Sequence, residues 1–197
     1  MPRTAFPFHL PSGRTIGCRL LGTGSRPRQK GIALLTFVLG GARSGKSRHA
    51  EALVTALPGP WRYIATAQAF DAEMTARIAA HRAARPAGWQ TTEAPLDLVA
   101  ALDVAAPVLV DCLTLWLTNL MLGGHEVTAA TERLLAALAR RTRPTVLVSN
   151  EVGLGIVPEH ALARAFRDEA GRLHQAVAAR ADRVVLMVAG LPLALKG

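Results

Sequence analysis

A glycine-rich stretch directly after an apolar run carries the clearest chemistry in this sequence. It follows Ala33 to Leu39 and consists of Gly40, Gly41, Ala42, Arg43, Ser44, Gly45, Lys46 and Ser47. Gly40 and Gly45 allow a sharp turn in which backbone N–H groups point inward at phosphate oxygens. Lys46 then reaches the outer phosphates, and the Ser47 hydroxyl can coordinate Mg²⁺. Since the helix expected next adds the partial positive charge of its N-terminus, the pattern predicts a nucleoside triphosphate site.

Acidic residues at the ends of two later apolar runs are candidates to complete this site. A phosphate loop requires a carboxylate partner for Mg²⁺, and the run from Pro107 to Asp111 ends in an acid. Because the carboxyl ends of strands in an open α/β sheet share one crevice, we expect Asp111 to face the loop after Leu39. Asp111 alternatively caps the helix that begins near Leu113, and both roles are compatible. Glu151, just after the run from Thr145 to Ser149, is a second candidate to bind the metal or to accept a proton. Alternatively, it only helps to form the turn there.

His81 stands in the most charged setting of the histidines. It lies on the helix predicted for Asp71 to Arg85, with Arg77 four residues before it and Arg85 four residues after it. Residues at this spacing share one face of a helix. Cations there favour the neutral imidazole, which is the form that attacks phosphorus. The alternative interpretation is a solvated basic face of the helix.

The elements that must position these residues alternate along the chain. Strands are predicted at Ala33 to Leu39, Arg62 to Thr66, Gln90 to Glu93, Val108 to Asp111, Thr145 to Ser149 and Val184 to Ala189. Helices are predicted at Arg48 to Leu57, Asp71 to Arg85, Thr128 to Arg143, and Glu159 to Ala181 with Leu162, Phe166, Leu173 and Val177 as its buried stripe. This alternation is typical of an α/β fold of the P-loop type, with a mainly parallel sheet flanked by helices. Leu191 to Leu195 is expected to add an antiparallel edge strand.

The charge is distributed unevenly. The 197 residues carry a net charge of +9, but six of the 23 basic residues lie within residues 1–30, which contain no Asp or Glu. The other 17 basic residues and the 14 acidic ones leave the rest of the chain at +3. We therefore predict an irregular basic extension over residues 1–30 and a single catalytic domain over residues 31–197. We interpret the extension as residues translated from an upstream start without function; a transit-like sequence and an anion-binding arm are the alternatives.

The apolar runs and the two cysteines indicate the cellular location to expect for the protein. No run of about 18 apolar residues occurs, so no membrane span is expected. Cys18 and Cys112 stand far apart and outside any ligand-spaced pattern, so neither a disulfide framework nor a zinc site is predicted. These features favour a soluble protein of the cytoplasm.

Four ordered motifs together resemble one enzyme family. They are Gly-Gly-Ala-Arg-Ser-Gly-Lys-Ser-Arg-His-Ala-Glu at 40–51, Tyr-Ile-Ala-Thr-Ala at 63–67, Met-Thr-Ala-Arg-Ile-Ala-Ala-His-Arg-Ala-Ala-Arg-Pro at 74–86 and Asn-Glu-Val-Gly-Leu-Gly-Ile-Val-Pro at 150–158. The family is the bifunctional adenosylcobinamide kinase / adenosylcobinamide-phosphate guanylyltransferase of cobalamin biosynthesis. The resemblance extends from about residue 35 to residue 196 and leaves only the basic extension uncovered.

The resemblance implies two reactions on one fold. One phosphorylates the aminopropanol hydroxyl of adenosylcobinamide, a corrinoid, from ATP or GTP; the other transfers GMP from GTP to that phosphate through a GMP–histidine intermediate. His81 matches the histidine that carries GMP. The positions that match nucleotide contacts are Gly40 to Ser47, Ala65, Thr66, Ala67, Arg82, Ala83, Ala84, Arg85, Glu93 and Asp111, with Ser47 and Asp111 also on Mg²⁺. The family further implies a homo-oligomer, a trimer.

One residue departs from the family pattern. His174 stands where the resemblance predicts Asn, in the stretch from Gly171 to Gln175. The difference puts a local polar contact in doubt.

Two other functions compete with this interpretation. One is a P-loop kinase for another small molecule, in which His81 contacts phosphate without a covalent intermediate. The other is a nucleotide-dependent switch whose basic extension binds nucleic acid. The sequence contains no Asn-Lys-x-Asp guanine motif, and much of its excess charge lies in the extension. We therefore expect no nucleic-acid partner.

Overall fold

The structure, a computed structural model, describes residues 34–68 and 87–197. The strands of this part are β1 (Leu35–Gly40), β2 (Trp61–Ala65), β3 (Trp89–Glu93), β4 (Val108–Asp111), β5 (Thr145–Asn150), β6 (Arg183–Val188) and β7 (Leu191–Lys196). The helices are α1 (Lys46–Thr55), α2 (Leu98–Ala101), α3 (Leu113–Leu122), α4 (Val127–Arg140) and α5 (Ala161–Arg180). The predicted basic extension and the predicted helix from Asp71 to Arg85 lie outside the described residues.

The strands form one seven-stranded sheet in the order β3-β2-β4-β5-β1-β6-β7. Neighbouring strands pair in parallel throughout, except that β7 runs antiparallel to β6. The predicted α/β fold, with a mainly parallel sheet and an antiparallel edge strand near the C-terminus, is therefore confirmed. The loops after β1, β2, β3, β4 and β5 all leave the sheet at its carboxyl edge, which is where ligands bind in open α/β sheets.

Helices cover both faces of the sheet, and β1 is buried along its whole length. Phe37 on one face of β1 belongs to a core cluster with Leu134 of α4 and Leu173 of α5. Val38 on the other face belongs to a second cluster with Val54 of α1. Since parallel strands that are covered on both faces read as continuous apolar runs, the run before the glycine-rich loop was visible in the sequence. The core thus fixes the strand that carries the loop.

Two helix predictions require correction. The helix predicted to reach Arg143 ends at Arg140, because Arg141 is already extended (φ −67°, ψ 136°) and Pro144 disfavours a helical residue before it. The prediction that Leu162 belongs to the buried stripe of α5 is wrong, since this side chain is 60% exposed. It lies in the first helical turn, whereas the fully buried residues of α5 begin at Ala170. No helix in the described ranges is long and apolar enough to cross a membrane.

Candidate active site

The loop between β1 and α1 has the open geometry that a bound phosphate requires. Gly45 caps α1 in a left-handed conformation (φ 89°), and no side chain accepts a hydrogen bond there. The first N–H groups of a helix have no partner within the helix, so they are directed at the loop and can donate to an anion. The Lys46 ammonium lies over the same loop and donates to the Gly41 carbonyl at 3.2 Å. Positive charge and N–H donors therefore converge on the loop.

Two backbone contacts fix this loop against β6 and the turn after it. A Cβ atom at Gly40 would lie 2.9 Å from the Met187 carbonyl oxygen, so the close approach of the two strands requires glycine. Further along the loop, the Gly190 N–H donates to the Ser44 carbonyl at 3.1 Å. The β6–β7 hairpin thus braces the loop from the side.

Asp111, at the end of β4, accepts hydrogen bonds from two hydroxyl groups on one carboxylate oxygen. Ser47 Oγ donates to Oδ2 at 3.2 Å, and the Tyr63 hydroxyl of β2 donates to the same oxygen at 2.8 Å. The alternative role of Asp111 as a helix cap is wrong, because α3 is capped by Cys112 without a side-chain hydrogen bond. The Asp111 side chain instead lies toward α1, where it meets the end of the phosphate loop.

A buried set of contacts holds the backbone just after Asp111. The Thr66 hydroxyl donates to the Cys112 carbonyl at 2.7 Å and accepts from the Cys112 N–H at 2.8 Å. The Asn119 amide donates to the Thr66 carbonyl at 2.8 Å and to the Pro95 carbonyl at 2.9 Å. Burial also raises the pKa of the Cys112 thiol, with a further contribution from the Asp111 charge. The Thr66 side chain, a predicted nucleotide contact, is therefore committed to positioning the turn after Asp111.

Three of the predicted positions lie level with one another across the carboxyl edge of the sheet. Ala65 of β2 pairs in register with Glu93 of β3 on one side and with Asp111 of β4 on the other. Ala67 follows two residues after Ala65 and is half-buried. The structure thus brings Ala65, Ala67, Glu93 and Asp111 to the edge at which the phosphate loop lies.

Glu151 begins the loop after β5, immediately beside the phosphate loop. Its N–H donates to the Gly40 carbonyl at 3.0 Å. Its Oε1 accepts from the Gly153 N–H at 2.5 Å, so the carboxylate turns back onto its own loop. These contacts agree with the turn-forming alternative for Glu151.

His174 of α5 is buried beneath this loop. Its Nε2 shares a hydrogen bond of 2.8 Å with Ser149 Oγ, and its ring packs against Phe37 with centroids 5.6 Å apart. Its Nδ1 lies 3.9 Å from Glu151 Oε2. Burial lowers the pKa of His174 from its ordinary 6.5, while the Glu151 charge opposes that shift. A polar contact is therefore made by His174, although the residue differs from the Asn that the resemblance predicts.

Some predicted site residues are not described by the structure, and some residues at the site were not predicted from the sequence. His81, Arg82, Ala83, Ala84 and Arg85 lie outside the described residues. Conversely, sequence reasoning did not single out Tyr63 or Asn119, whose contacts become visible only once β2 is known to lie beside β4. Tyr63 carries a weak signal of its own, since it is a hydroxyl-bearing aromatic residue two positions before the end of a strand.

The fold and the phosphate loop together define a class of enzyme. A parallel sheet, a glycine-rich loop ending in Lys-Ser at the N-terminus of α1 and a carboxylate bonded to that Ser are the parts of a P-loop nucleotide-binding enzyme. Such enzymes act on the phosphates of the nucleotide.

Comparisons with known proteins identify the family within this class. A family model described as cobinamide kinase / cobinamide phosphate guanyltransferase matches residues 36–195. The bifunctional adenosylcobalamin biosynthesis protein CobP of Pseudomonas aeruginosa is 54% identical over 167 residues, which cover 82% of this chain and 96% of the relative. The corresponding protein CobU of Salmonella typhimurium is 47% identical over 182 residues, covering 83% of this chain and all (100%) of the relative.

A solved structure matches this chain at low similarity. The P4 protein from bacteriophage phi6, in complex with ADP, covers 87% of this chain and 58% of its own, with 17% identity and a TM-score of 0.42. The likeness is too distant to bear on function.

The chain belongs to the cobinamide kinase / cobinamide phosphate guanyltransferase family. The predicted family, the transferase class and the bifunctional kinase and guanyltransferase activity in adenosylcobalamin biosynthesis are thereby confirmed. The nucleotide and cobinamide expected as substrates fit this family.

Proposed function

We propose that the loop from Gly40 to Ser47 binds the triphosphate of GTP or ATP, and that Ser47 and Asp111 hold the accompanying Mg²⁺. The observation that carries the proposal is the 3.2 Å hydrogen bond between Ser47 Oγ and Asp111 Oδ2, which places two oxygen ligands side by side at the loop. Mg²⁺ prefers such ligands and is usually bound by one or two of them together with substrate phosphates and water. The described residues contain no cluster of three or more His, Cys, Asp or Glu for a metal, which agrees with a site completed by the nucleotide. When bound, Mg²⁺ neutralises charge on the phosphates.

In the kinase reaction, this chain positions the terminal phosphate and stabilises its charge. The oxygen of the aminopropanol hydroxyl attacks the γ-phosphorus, the bond to the β-phosphate oxygen breaks, and the hydroxyl proton leaves to solvent or a base. The Lys46 ammonium and the N–H groups at the start of α1 stabilise the negative charge that develops on the phosphate oxygens. The products are cobinamide phosphate and a nucleoside diphosphate.

In the guanylyl transfer, we assign the nucleophile to His81. A neutral imidazole nitrogen attacks the α-phosphorus of GTP, a P–N bond forms, the P–O bond to the β-phosphate breaks and pyrophosphate leaves. An oxygen of cobinamide phosphate then attacks the same phosphorus, and the P–N bond breaks to return the imidazole. The assignment is supported by the motif around His81, in which Arg82 and Arg85 supply charge for the phosphates.

The remaining predicted contacts belong to the nucleoside. We assign nucleoside contacts to Ala65 and Ala67 beside the strand ends and, from the family motif, to Ala83 and Ala84. Thr66, whose side chain is buried, supports this contact by holding the turn after Asp111. We assign Glu93 to the guanosine sugar or base. The position of Ala65 in register with Glu93 and Asp111 supports this arrangement. We further propose a cytoplasmic homo-oligomer, a trimer as the family resemblance implies.

Labelled GTP tests the covalent step. With GTP labelled separately at the α- and γ-phosphates, we expect acid-labile label on the protein from the α position only. His81→Ala should abolish this label, whereas His125→Ala, a change at an exposed histidine, should retain it. Absence of protein-bound label under turnover conditions would show that no GMP–histidine intermediate forms, and γ-transfer alone would then support the simple kinase.

A further inference from the structure

The loop that joins β5 to α5, residues 151–160, and the first turn of α5 expose several large aliphatic side chains. Leu154 is 84% exposed, Ile156 97% and Val157 65%, and Leu162 in the next helical turn is 60% exposed. Single exposed aliphatic residues are ordinary on protein surfaces, but contiguous groups of them mark interaction sites. Four within nine residues make this segment a candidate interaction site, as do the four exposed aliphatic residues between Val188 and Leu195 at the sheet edge, which lie away from the loop after β5.

The backbone of this loop is held in place by two arginine side chains of α5 and by the packing of Val152 against the core. Arg167 donates to the Gly153 carbonyl, and Arg164 donates to the Pro158 carbonyl at 3.0 Å and to the Glu159 carbonyl. Val152 packs against the main core cluster, so the start of the loop is anchored on the apolar side as well. The aliphatic side chains are thus presented to solvent from a braced backbone.

The same loop leaves the sheet beside the phosphate loop. Asn150 pairs in register with Gly40, and the next N–H, that of Glu151, donates to the Gly40 carbonyl at 3.0 Å. A phosphoryl acceptor must bring its hydroxyl to the terminal phosphate held by the phosphate loop. The bulk of a large acceptor therefore lies within reach of the segments that flank that loop.

We propose that Leu154, Ile156 and Val157, with Leu162, form the docking surface for the corrin macrocycle of cobinamide. The inference rests on the proposed function, since it takes the acceptor from that assignment. The corrin ring is a large, rigid body whose periphery carries many methyl groups beside its amide arms. Burying these methyl groups against the braced aliphatic side chains gives the binding energy, and the loop sets the distance from the ring to the phosphates.

A double variant and a matched control test the surface. Leu154→Ser with Ile156→Ser should raise the KM for cobinamide by about tenfold, because two aliphatic contacts are lost, with a smaller change in kcat. Equilibrium dialysis of coloured cobinamide should show the same loss of affinity. Leu122→Ser changes a similarly exposed (62%) residue at the C-terminal end of α3. It should leave the KM and the dialysis affinity for cobinamide unchanged. Leu154→Met with Ile156→Val should retain the wild-type KM.

Two further measurements separate this inference from the proposed function. Labelling of the enzyme by α-labelled GTP needs no corrinoid, so the Ser variants should take up as much label as the wild type. If the wild type takes no label, the histidine intermediate fails, while the KM comparison in the kinase reaction still tests the docking surface. An unchanged KM for cobinamide in the Ser variants overturns the docking surface. If the KM is unchanged and the Ser variants also show a reduced oligomeric mass in sedimentation, the surface is instead a contact between copies of the chain.

Discussion

Asp111 is held by two neighbours that come from different elements. Ser47 belongs to α1 and Tyr63 to β2, yet both hydroxyls donate to the same carboxylate oxygen. Tyr63 is buried (3% exposed), so its hydroxyl has few alternative orientations. In the Mg²⁺ site proposed above, a hydroxyl that fixes the carboxylate in this way would act on the metal by orienting its ligand.

Tyr63→Phe tests this role. We expect the variant to bind Mg²⁺–GTP about tenfold more weakly, because a side chain that orients a metal ligand is typically worth at least that factor in affinity. The measurement is a calorimetric titration with GTP, once with Mg²⁺ and once in a chelator. Binding in the chelator should match the wild type, and an equal loss in both titrations would contradict an effect on the metal.

His174 should make stability depend on pH in a defined direction. Burial lowers its pKa from 6.5, so the folded protein keeps the imidazole neutral where the unfolded chain binds a proton. The folded state is therefore most stable, as far as His174 is concerned, above the pKa of this residue in the unfolded chain. That stability is lost as the pH falls toward its lower pKa in the folded protein. We expect His174→Asn to lose less stability than the wild type on going from about pH 7.5 to about pH 5.5.

Chemical denaturation at several pH values measures this difference. His125→Asn, at an exposed position, is the matched control and should keep the wild-type dependence. A wild type and a His174→Asn variant with identical pH dependence would show that the buried imidazole does not titrate on unfolding.

At the scale of elements, the phosphate loop depends on how closely β1 approaches β6. The gap at Gly40 leaves no room for a side chain, since a Cβ atom would lie 2.9 Å from the backbone oxygen of Met187. At Gly41 a Cβ atom would meet nothing within 4 Å. Neighbouring glycines of one motif therefore serve different purposes.

Gly40→Ala and Gly41→Ala form a matched pair. We expect Gly40→Ala to destabilise the protein by about 1–3 kcal/mol and to weaken nucleotide binding, because the backbone must shift to accept the methyl group. Gly41→Ala should leave the melting temperature close to that of the wild type. Thermal unfolding and nucleotide titration measure both effects, and equal stability of the two variants would contradict the close approach.

The sequence predicted elements better than contacts between them. Strands covered on both faces appear as apolar runs, so β1, β4 and β5 were visible, as was the strand-end position of Asp111. The Tyr63–Asp111 contact depends on β2 lying beside β4, although β3 comes between them in the chain. The exposure of Leu162 was missed because helical periodicity gives the face of a residue but not where the covering sheet ends.

At the scale of the whole molecule, the charge and the family match divide the chain at nearly the same place. The family match begins at residue 36, whereas residues 1–30 hold six basic residues and no acidic one. Neither observation connects the basic segment with the transferase reactions.

Deletion of residues 1–30 should therefore leave kcat and KM unchanged for both reactions within about twofold, an effect smaller than 0.5 kcal/mol. Steady-state assays of both activities make the comparison. Binding of duplex DNA by the full chain, measured at several salt concentrations, is the control for an arm that binds anions. A loss of either activity on deletion would contradict the interpretation that the extension has no function.

The hydrogen bond from Gly190 to Ser44 has a consequence for the far end of the chain. The donor lies in the turn before β7, a strand whose residues are all exposed, while the acceptor lies in the phosphate loop. A nucleotide that immobilises the loop should therefore slow amide hydrogen exchange at Gly190, although this residue belongs to no predicted contact. The C-terminal hairpin becomes a reporter, readable by mass spectrometry, of whether the first loop of the chain is occupied.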